Sequence, residues 1–592
     1  MSLLRTGYLD SPAGGLHLTL HLPEGLHSTA WILHVPAFGE EMNKSRHLVA
    51  SQGRCLAQAG AAVIIPDLTG TGDSAGTLDQ ADWTAWQDDL ERVAAWAASQ
   101  GAKTLVLWGL RLGCLLAADI VGRLPLPVAA LWCWQPVPAG KQHIKQFLRL
   151  RAMAGLTGGK GESVVQLRST LEQEGSLEVA GYPLGEPLVA SIEERELSSM
   201  ALPGGLPVRL VEVVSDVSRP LSPLASRQLE AWNAAGIAAL GAVVRGDPFW
   251  TTQELGFAPE LLEHTLGWWR ELHHPVGEEP NAGGSPETAA GLSAQAAMGW
   301  RTTVFDCGEY PLAGIVHGAD TPSDLGVVIV VGGPQYRVGS HRQFVSLADA
   351  LAGAGFPTLR FDYRGMGDSA GELAGFTGVE EDIRAAIDAL QTRCPAVERV
   401  LLGGLCDAAT AAVFYAHRDR RVKGLILANP WVYSPQGQAK AYLRHYYLQR
   451  LLSRNFWTKV FSGSFSPRAS LESLRRLLRT ARGGQDPGEE LPASPALDSP
   501  VAPTVAPAMD LAQRFASGLA RFSGRRLLLI SGRDLTATEF VAASQTNRAL
   551  RRQLAAAETT LINLPAADHT FSTSAATREM EQACVKFAKA VL

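Results

Sequence analysis

The sequence of 592 residues has few cysteines, few charged residues and no long apolar run. Its seven cysteines are an odd number without a CxxC pair, so neither a disulfide framework nor a zinc site is indicated. No apolar run approaches the ~18–20 residues that span a bilayer, and the N-terminus lacks the basic and apolar regions of a signal peptide. We therefore expect reduced thiols, no integral membrane segment and a cytoplasmic location.

Charge is sparse and almost balanced. Charged residues make up 19% of the chain, and the net charge is -5 with a sequence pI near 6.3. This composition provides no electrostatic basis for a nucleic-acid partner. The length is too great for a single core, and the usual ~100–200 residues per domain predict two or three domains.

An internal duplication organises the chain. The stretches VIIPDLTGTGDSAG (Val63–Gly76) and TLRFDYRGMGDSAG (Thr358–Gly371) both read as a strand and a turn, and both end in GDSAG. Two homologous halves are the simplest explanation. Three residue pairs share the same separation of 295 positions: Asp67 and Asp362, Asp73 and Asp368, and Arg111 and Cys406.

Each half alternates short apolar runs with segments of helical period, which predicts an α/β fold with a mostly parallel sheet flanked by helices. Residues 275–295 are rich in Gly, Pro, Ala and Glu without an apolar period, and they predict a linker. We therefore predict two tandem α/β domains, residues 1–274 and 296–592. Residues 483–508 carry six prolines and predict a projecting loop, with a lid that orders on binding as the alternative.

The stretch GLCDA, Gly404–Ala408, lies between a predicted strand and a predicted helix. A Gly-x-nucleophile-x-small sequence in that position is typical of the nucleophile elbow. The N-terminus of the following helix would stabilise the thiolate of Cys406, which is the reactive form. A lone cysteine after an apolar run is also commonly a small core residue, so the choice between the two depends on the partners of Cys406.

Candidate partners for Cys406 lie further along the chain. Asp534 follows a late predicted strand, and His569 lies in the loop after the last predicted strand. The order nucleophile, acid, histidine is that of α/β-hydrolases, with cysteine as the nucleophile. Taken alone, His569 would be read as a surface histidine and Asp534 as a turn or cap residue. Together the pattern predicts Cys406, Asp534 and His569 as the catalytic residues.

The oxyanion hole is expected to use two backbone N–H groups. One belongs to Asp407, directly after the nucleophile, and the other comes from the loop after the early strand. In that loop Pro334 has no N–H, so Gln335 is the predicted second donor. No metal or cofactor site is predicted.

The first half has an arginine where the second has its cysteine. Arg111 is permanently protonated and cannot attack a carbonyl group. Asp216 matches the acid position, whereas Pro248 or Phe249 aligns with the histidine loop. We predict a degenerate hydrolase whose Arg111 binds a carboxylate or phosphate, with a structural arginine paired to a local acid as the alternative. An independent catalytic site is a further alternative, formed by His34, Glu40 and Glu41.

These motifs resemble a fusion of two α/β-hydrolases associated with exosortase A (PEP-CTERM) systems, type 2 in the first half and type 1 in the second. The resemblance implies tandem α/β-hydrolase folds and Cys406, Asp534 and His569 as the triad. It also implies a setting in exopolysaccharide or protein-sorting gene clusters, where acyl carrier proteins are frequent, but it does not define a substrate. The motifs are HVPAFGEEMNKSRH, PDLTGTGDSAG, LWGLRLG and GDPFWTTQE, then GGPQYRVGSHRQF, FDYRGMGDSAG, GLCDAA, NPWV, AKAYLRHYYLQRLLSRNFW and ADHTFS.

A basic, aromatic segment follows the fifth predicted strand of each half and predicts a small helical cap. The segments are AGKQHIKQFLRLRAMAG in the first half and AKAYLRHYYLQRLLSRNFWTKVF in the second. An acyl carrier protein is a candidate partner for such a surface, with a solvated cap face or membrane-surface binding as alternatives. In the second segment the predicted inward residues are Tyr442, Tyr446 and Leu451, and the outward ones are Lys440, Arg444 and Arg450.

The predicted function is a cysteine-dependent acyl hydrolase or acyltransferase that acts on a small-molecule ester or thioester through an acyl-enzyme at Cys406. Two alternatives stay open. One is hydrolysis of a small ester or lactone, of the dienelactone type, and the other is a non-catalytic scaffold or binding protein.

Overall fold

The structure, a computed structural model, describes residues 2–24, 29–157, 161–272, 290–432 and 511–592. Within these ranges the strands form two eight-stranded sheets and one two-stranded hairpin. The segment predicted as the cap of the second half, the loop 483–508 and most of the predicted linker lie outside the described residues.

The first sheet begins with antiparallel strands and continues in parallel. Its order is β1-β2-β4-β3-β5-β6-β9-β10, and β7 pairs with β8 in the hairpin. The strand pairs β1–β2 and β2–β4 are antiparallel, and the other pairs in this sheet are parallel. The strands are β1 (Ser2–Leu9), β2 (Leu16–Pro23), β3 (Ala30–Val35), β4 (Ala62–Pro66), β5 (Thr104–Leu110), β6 (Val128–Trp134), β7 (Ser176–Val179), β8 (Tyr182–Gly185), β9 (Pro207–Val214) and β10 (Ala238–Arg245).

The second sheet repeats this arrangement in the order β11-β12-β14-β13-β15-β16-β17-β18. It too has two antiparallel pairs, β11–β12 and β12–β14, followed by parallel pairing. The predicted α/β fold with two tandem, mostly parallel sheets is confirmed. The strands are β11 (Arg301–Cys307), β12 (Tyr310–His317), β13 (Leu325–Val330), β14 (Thr358–Phe361), β15 (Arg399–Leu405), β16 (Val422–Ala428), β17 (Arg525–Ser531) and β18 (Thr559–Leu564).

Helices connect the parallel strands of both sheets. None in the described part of the chain is both long and apolar enough to cross a bilayer. The first-half segment predicted as a cap forms α4, and with α5, the hairpin and α6 it lies between β6 and β9. The helices are α1 (Glu40–Gln58), α2 (Trp83–Ser99), α3 (Gly113–Ile120), α4 (Gly140–Thr157), α5 (Val164–Glu174), α6 (Glu186–Glu193), α7 (Pro223–Ala234), α8 (Pro259–Leu272), α9 (Gln343–Gly353), α10 (Glu380–Arg393), α11 (Asp407–Ala416), α12 (Leu511–Arg521), α13 (Leu535–Thr546), α14 (Arg548–Leu554) and α15 (Ser574–Val591).

The first sheet is buried on both faces. Neighbouring residues of a strand point to opposite faces, so Leu33 joins one hydrophobic core and Ile32 the other. Leu107 and Val106 of the next strand divide in the same way. This is why the central strands read as continuous apolar runs in the sequence rather than as alternating ones.

The chain forms two compact units. The first consists of Met1–Val400 with Thr570–Ala588, and the second of Leu401–His569 with Lys589–Leu592. The predicted domain bounds, 1–274 and 296–592, follow the duplication and stay a prediction. The described end of the predicted linker is paired with β1, since Tyr8 and Ser293 exchange backbone hydrogen bonds of 2.7 and 2.8 Å.

A buried cluster of arginines and aspartates lies inside the first unit and joins the duplicated motifs of the two halves. Its members are at most 2% exposed, and their ion pairs measure 2.6–2.9 Å. Every carboxylate of the cluster therefore has an arginine within reach, although the cluster is shielded from water. The pairs are Arg46 with Asp67 and Asp368, Arg337 with Asp73, Asp362 and Asp368, and Arg360 with Asp73.

The arginines of this cluster decide its charge state. Burial opposes ionisation of Asp368, but the charges of Arg46 and Arg337 outweigh it and hold the pKa of this carboxyl well below its usual range. The ring of His17 lies near Asp67 and Asp73, with their polar atoms within 4.8 Å of one another. Because arginines already neutralise both carboxylates, we interpret this group as part of the ion-pair cluster.

Candidate active site

The turn after β15 has the strained geometry of a nucleophile elbow. Cys406 adopts φ 60° and ψ -122°, caps the N-terminus of α11 and is half-buried. Its N–H donates to the carbonyl of Ala428 at 3.0 Å, and its carbonyl accepts from Trp431 N at 3.1 Å. A Cβ on Gly404 would lie 2.7 Å from the backbone of α11, which explains why this position needs glycine. The strand, the turn and the helix thus hold the thiol at the carboxyl end of the sheet.

The first half keeps the same turn around Arg111. Arg111 has φ 55°, and its N–H donates to the carbonyl of Trp134 at 3.0 Å. A Cβ on Gly109 would lie 2.6 Å from the helix backbone, and one on Gly113 would lie 2.2 Å from Val35 O. Close packing therefore preserves the elbow in a half whose tip residue is not a nucleophile.

The three residues predicted as catalytic come together in the second unit. Asp534 follows β17, caps α13 through hydrogen bonds from Thr536 N and Ala537 N, and is 5% exposed. Its Oδ2 lies 2.9 Å from Nδ1 of His569, in the loop after β18. The thiol of Cys406 also acts on the imidazole of His569. The acid is thus held by a helix cap, and the histidine bridges the acid and the thiol.

This arrangement favours the protonated imidazole. Burial lowers the pKa of His569, but the hydrogen bond and charge of Asp534, together with the interaction with Cys406, outweigh that effect and raise the pKa to about 10. The histidine side chain is 35% exposed, so water still reaches it. A positive imidazolium between a carboxylate and a thiol is suited to stabilise a thiolate and to donate a proton.

Asn429 is a residue of the candidate site that sequence reasoning missed. It is fully buried with φ 42°, directly after β16. Its amide donates to the carbonyl of His569 at 3.0 Å and to Ser531 Oγ at 2.9 Å, and its Oδ1 accepts from Ser531 N at 2.8 Å. It therefore joins the histidine loop to the strand before Asp534.

A comparison of the two halves of the sequence could have identified Asn429. Gln135 follows the corresponding strand of the first half, has φ 46°, and accepts from Val213 N at 2.7 Å. A polar residue after the equivalent strand in both halves, before proline each time, was the available clue.

The predicted oxyanion donors lie in different compact units. Asp407 is the first residue of α11, directly after Cys406, so its N–H belongs to the free end of that helix. Gln335 lies in the first unit, where its Oε1 accepts from Ser340 N at 3.1 Å and its amide donates to Ser340 Oγ. The role predicted for both residues stays a prediction.

The first half does not assemble an equivalent triad. Asp216 is exposed and accepts from Ser218 N at 3.0 Å, and Phe249 is completely buried. His34 is 2% exposed beside Trp108, and burial lowers its pKa to about 3. Glu40 accepts from the hydroxyl of Tyr182 at 2.7 Å. The acidic side chains predicted as alternative catalytic groups are thus already engaged elsewhere.

Arg111 is paired with a local acid but also lines a cavity. Its Nε and Nη2 are each 3.1 Å from Oε1 of Glu41, and its Nη1 donates to the carbonyl of Gln135 at 3.2 Å. Its guanidinium lies 5.3 Å from the ring centroid of Trp250. Arg111 also borders a cavity of about 510 Å³. The ion pair with Glu41 fits the prediction of a structural arginine. The position beside the cavity fits the prediction of a ligand-binding arginine.

Comparison with known proteins supports a hydrolase fold in the second half. Residues 324–572 match the model of the family Hydrolase_4, described as serine aminopeptidase, S33. No curated protein matches the chain.

Among solved structures, the esterase Pf2001 of Pyrococcus furiosus is similar, at 14% identity over 50% of this chain and 91% of that chain, with a TM-score of 0.33. Est1E from Butyrivibrio proteoclasticus, with ferulic acid bound, has 18% identity over 45% and 96%, with a TM-score of 0.33. VinJ has 14% identity over 49% and 99%, with a TM-score of 0.31. The family match over residues 324–572 includes Cys406 at the elbow position.

Proposed function

We propose that the second half is a cysteine-dependent acyl hydrolase or acyltransferase that acts on an ester or thioester through an acyl-enzyme at Cys406. The observation that carries the proposal is the half-buried thiol on a strained turn, with a histidine that Asp534 orients acting on it. The match to a hydrolase family over residues 324–572 supports acyl chemistry at this elbow.

Acylation forms one bond and breaks another at the acyl carbon. The thiolate of Cys406 attacks the carbonyl carbon, and an S–C bond forms as the carbonyl oxygen becomes negative. In this proposal the N–H of Asp407, at the start of α11, stabilises that oxygen. The C–S or C–O bond to the leaving group then breaks, and His569 gives its proton to the departing sulfur or oxygen.

Deacylation uses the same groups in reverse. Neutral His569 takes a proton from water, or from an alcohol or amine, while the oxygen or nitrogen attacks the acyl carbon. The S–C bond breaks, the thiolate returns, and the imidazolium beside Asp534 is restored. Water as acceptor releases a carboxylic acid, whereas an alcohol or amine yields an ester or amide.

A thioester is the favoured substrate class. A thiolate displaces another thiolate by exchanging one S–C bond for another, so the two sides of the acylation step have similar bond energies. Oxygen esters and lactones need a poorer leaving group to depart and are the second candidate class. Comparing thioesters with oxygen esters of the same acyl groups distinguishes the two classes.

We further propose that the first half is a pseudo-hydrolase. Its elbow carries Arg111, whose guanidinium is not a nucleophile. The histidine position holds Pro248 or Phe249, and Asp216 is exposed.

The test is the intact mass of the full chain after brief exposure to acyl-pantetheine thioesters and to oxygen esters of the same acyl groups. The variants are Cys406→Ala and, as the matched control, Cys55→Ala, because Cys55 is the other half-buried cysteine in the described residues. We expect an acyl adduct from thioesters on the wild type and on Cys55→Ala, and none on Cys406→Ala.

Other outcomes would refute the acyl-enzyme at Cys406 or favour one of the alternative functions. An adduct that persists in Cys406→Ala would refute the acyl-enzyme at this residue. Turnover of oxygen esters but not thioesters, dependent on Cys406, would support ester or lactone hydrolysis. An absence of adduct and product from every donor, with biological activity unchanged in Cys406→Ala, would support a scaffold.

A further inference from the structure

The first half has a partly open cavity of about 510 Å³ beside its elbow. This volume lies within the range of small-molecule sites in proteins, about 300–1,000 Å³. The cavity is bordered by the elbow, by the residues after β6, and by α4 and α7. The proposed pseudo-hydrolase half has therefore lost the reactive groups of a hydrolase but kept space beside the elbow.

Arg111 supplies a positive charge with unused donors to this cavity. Its side chain is only 15% exposed. Its contacts with Glu41 and the carbonyl of Gln135 occupy Nε and one N–H of each terminal nitrogen. Each terminal nitrogen keeps a second N–H, and two such parallel donors match the two oxygens of a carboxylate.

Two further polar groups of the cavity wall are buried without a partner. The Nε2 atom of His143, a side chain 5% exposed, forms no hydrogen bond, and neither does the amide nitrogen of Gln228. Buried polar groups are almost always hydrogen-bonded, because leaving one unpaired costs free energy. A ligand with acceptor oxygens would satisfy both groups.

The charges around the cavity limit the charge of that ligand. Arg111 and Arg227 border it, but Glu212 also lines it, and Glu41 partly neutralises Arg111. The two glutamates offset the two arginines, so a dianionic phosphate would meet too little positive charge and a ligand with a single negative charge is favoured. Leucine and proline side chains complete the wall and suit a short aliphatic chain.

We infer that this cavity is a second ligand site, which binds a small aliphatic monocarboxylate through Arg111, with His143 and Gln228 donating to the same carboxylate. In this site Glu41 competes with the ligand for the guanidinium, because Glu41 and Arg111 form an ion pair. The inference does not depend on the chemistry proposed for Cys406.

The test is calorimetric titration of the full chain with hexanoate, and with hexanamide as the uncharged analogue. We expect saturable binding of hexanoate and none of hexanamide, with the same affinity in Cys406→Ala. Arg111→Gln should weaken hexanoate binding about tenfold or more, because it removes a charge-assisted bidentate contact. Arg149→Gln removes an exposed cation of α4 that does not border the cavity, and it should leave the affinity unchanged.

Glu41→Gln should change the hexanoate affinity in the opposite direction to Arg111→Gln. It therefore also tests the inference if the Arg111 variant misfolds. Removal of the competing carboxylate should tighten hexanoate binding severalfold. Equal hexanoate affinity in the wild type and in a folded Arg111→Gln would overturn the inference. So would weaker binding in Glu41→Gln, or an absence of saturable binding in both the wild type and Glu41→Gln.

Discussion

At the scale of single residues, the candidate site depends on one histidine held between an acid and a thiol. Asp534 contacts His569 through one oxygen while both of its oxygens cap α13. Asn429, directly after β16, donates a hydrogen bond to the backbone carbonyl of the same histidine. The imidazole therefore has its ring and its carbonyl restrained by different elements.

Asp534→Asn should lower the pKa of His569 from about 10 towards its ordinary value, because asparagine keeps the helix cap but not the charge. In the wild type the folded-state pKa exceeds the unfolded value of about 6.5. The stabilisation is therefore complete below about pH 6.5 and is lost as pH rises through about 10.

The measurement is the free energy of unfolding of wild type and Asp534→Asn from chemical denaturation across that range, with the pKa of His569 followed by NMR. The advantage of the wild type should shrink as pH rises. An advantage that grows with pH, or a histidine pKa unchanged by the substitution, would contradict this account of the site.

At the scale of elements, the elbow depends on how closely a helix approaches a strand. Gly113 begins α3, and a Cβ there would lie 2.2 Å from Val35 O and 2.5 Å from Pro36 O. Backbone atoms cannot move aside as a flexible side chain does, so any larger residue displaces the whole helix. The small residues of the elbow motif are thus a packing requirement, and they persist in the first half without its catalytic groups.

Gly113→Ala should destabilise the protein by ~1–3 kcal/mol, because the added methyl group overpacks the contact between α3 and β3. The matched control is Gly267→Ala in the interior of α8, where a Cβ meets nothing within 4 Å. That substitution should stabilise by about 0.5–1 kcal/mol, since alanine is the better helix former. Urea denaturation of both variants checks the prediction, and a stabilising Gly113→Ala would refute the packing argument.

At the scale of the whole molecule, the duplication has produced an internal interface. The repeated GDSAG motifs contribute Asp73 and Asp368 to the buried cluster, and each meets arginine from the other half. Buried ion pairs gain little over apolar packing, but the loss of one partner leaves an uncompensated charge. The cluster therefore makes residues of the first half dependent on residues beyond the linker within the first unit.

Asp368→Asn should destabilise the protein by ~1.5–3 kcal/mol, because Arg46 and Arg337 each lose a charged partner but keep another carboxylate. The control is Asp320→Asn, which breaks a 2.9 Å pair with Arg301 on the surface, where Asp320 is 73% exposed. Exposed pairs contribute about 0–1 kcal/mol. Similar shifts of the denaturation midpoint for both variants would show that the cluster is not important for stability.

The sequence by itself determined the repeat, the central strands of each half, and the positions of Cys406, Asp534 and His569 after their strands. These follow from local patterns, because apolar periodicity and small residues near a turn depend only on neighbouring positions. The same patterns did not reveal the antiparallel pairing of β1 with β2 and of β11 with β12, since strand partners are chosen by packing.

Only the tertiary structure decided which polar groups meet. Asn429 reaches the histidine loop across 140 positions, and Arg46 reaches Asp368 across 322. No local pattern encodes such contacts, because they depend on how separate strands and helices are placed in space. The cavity beside Arg111 and the unpaired nitrogen of His143 arise in the same way, from walls contributed by distant segments of the chain.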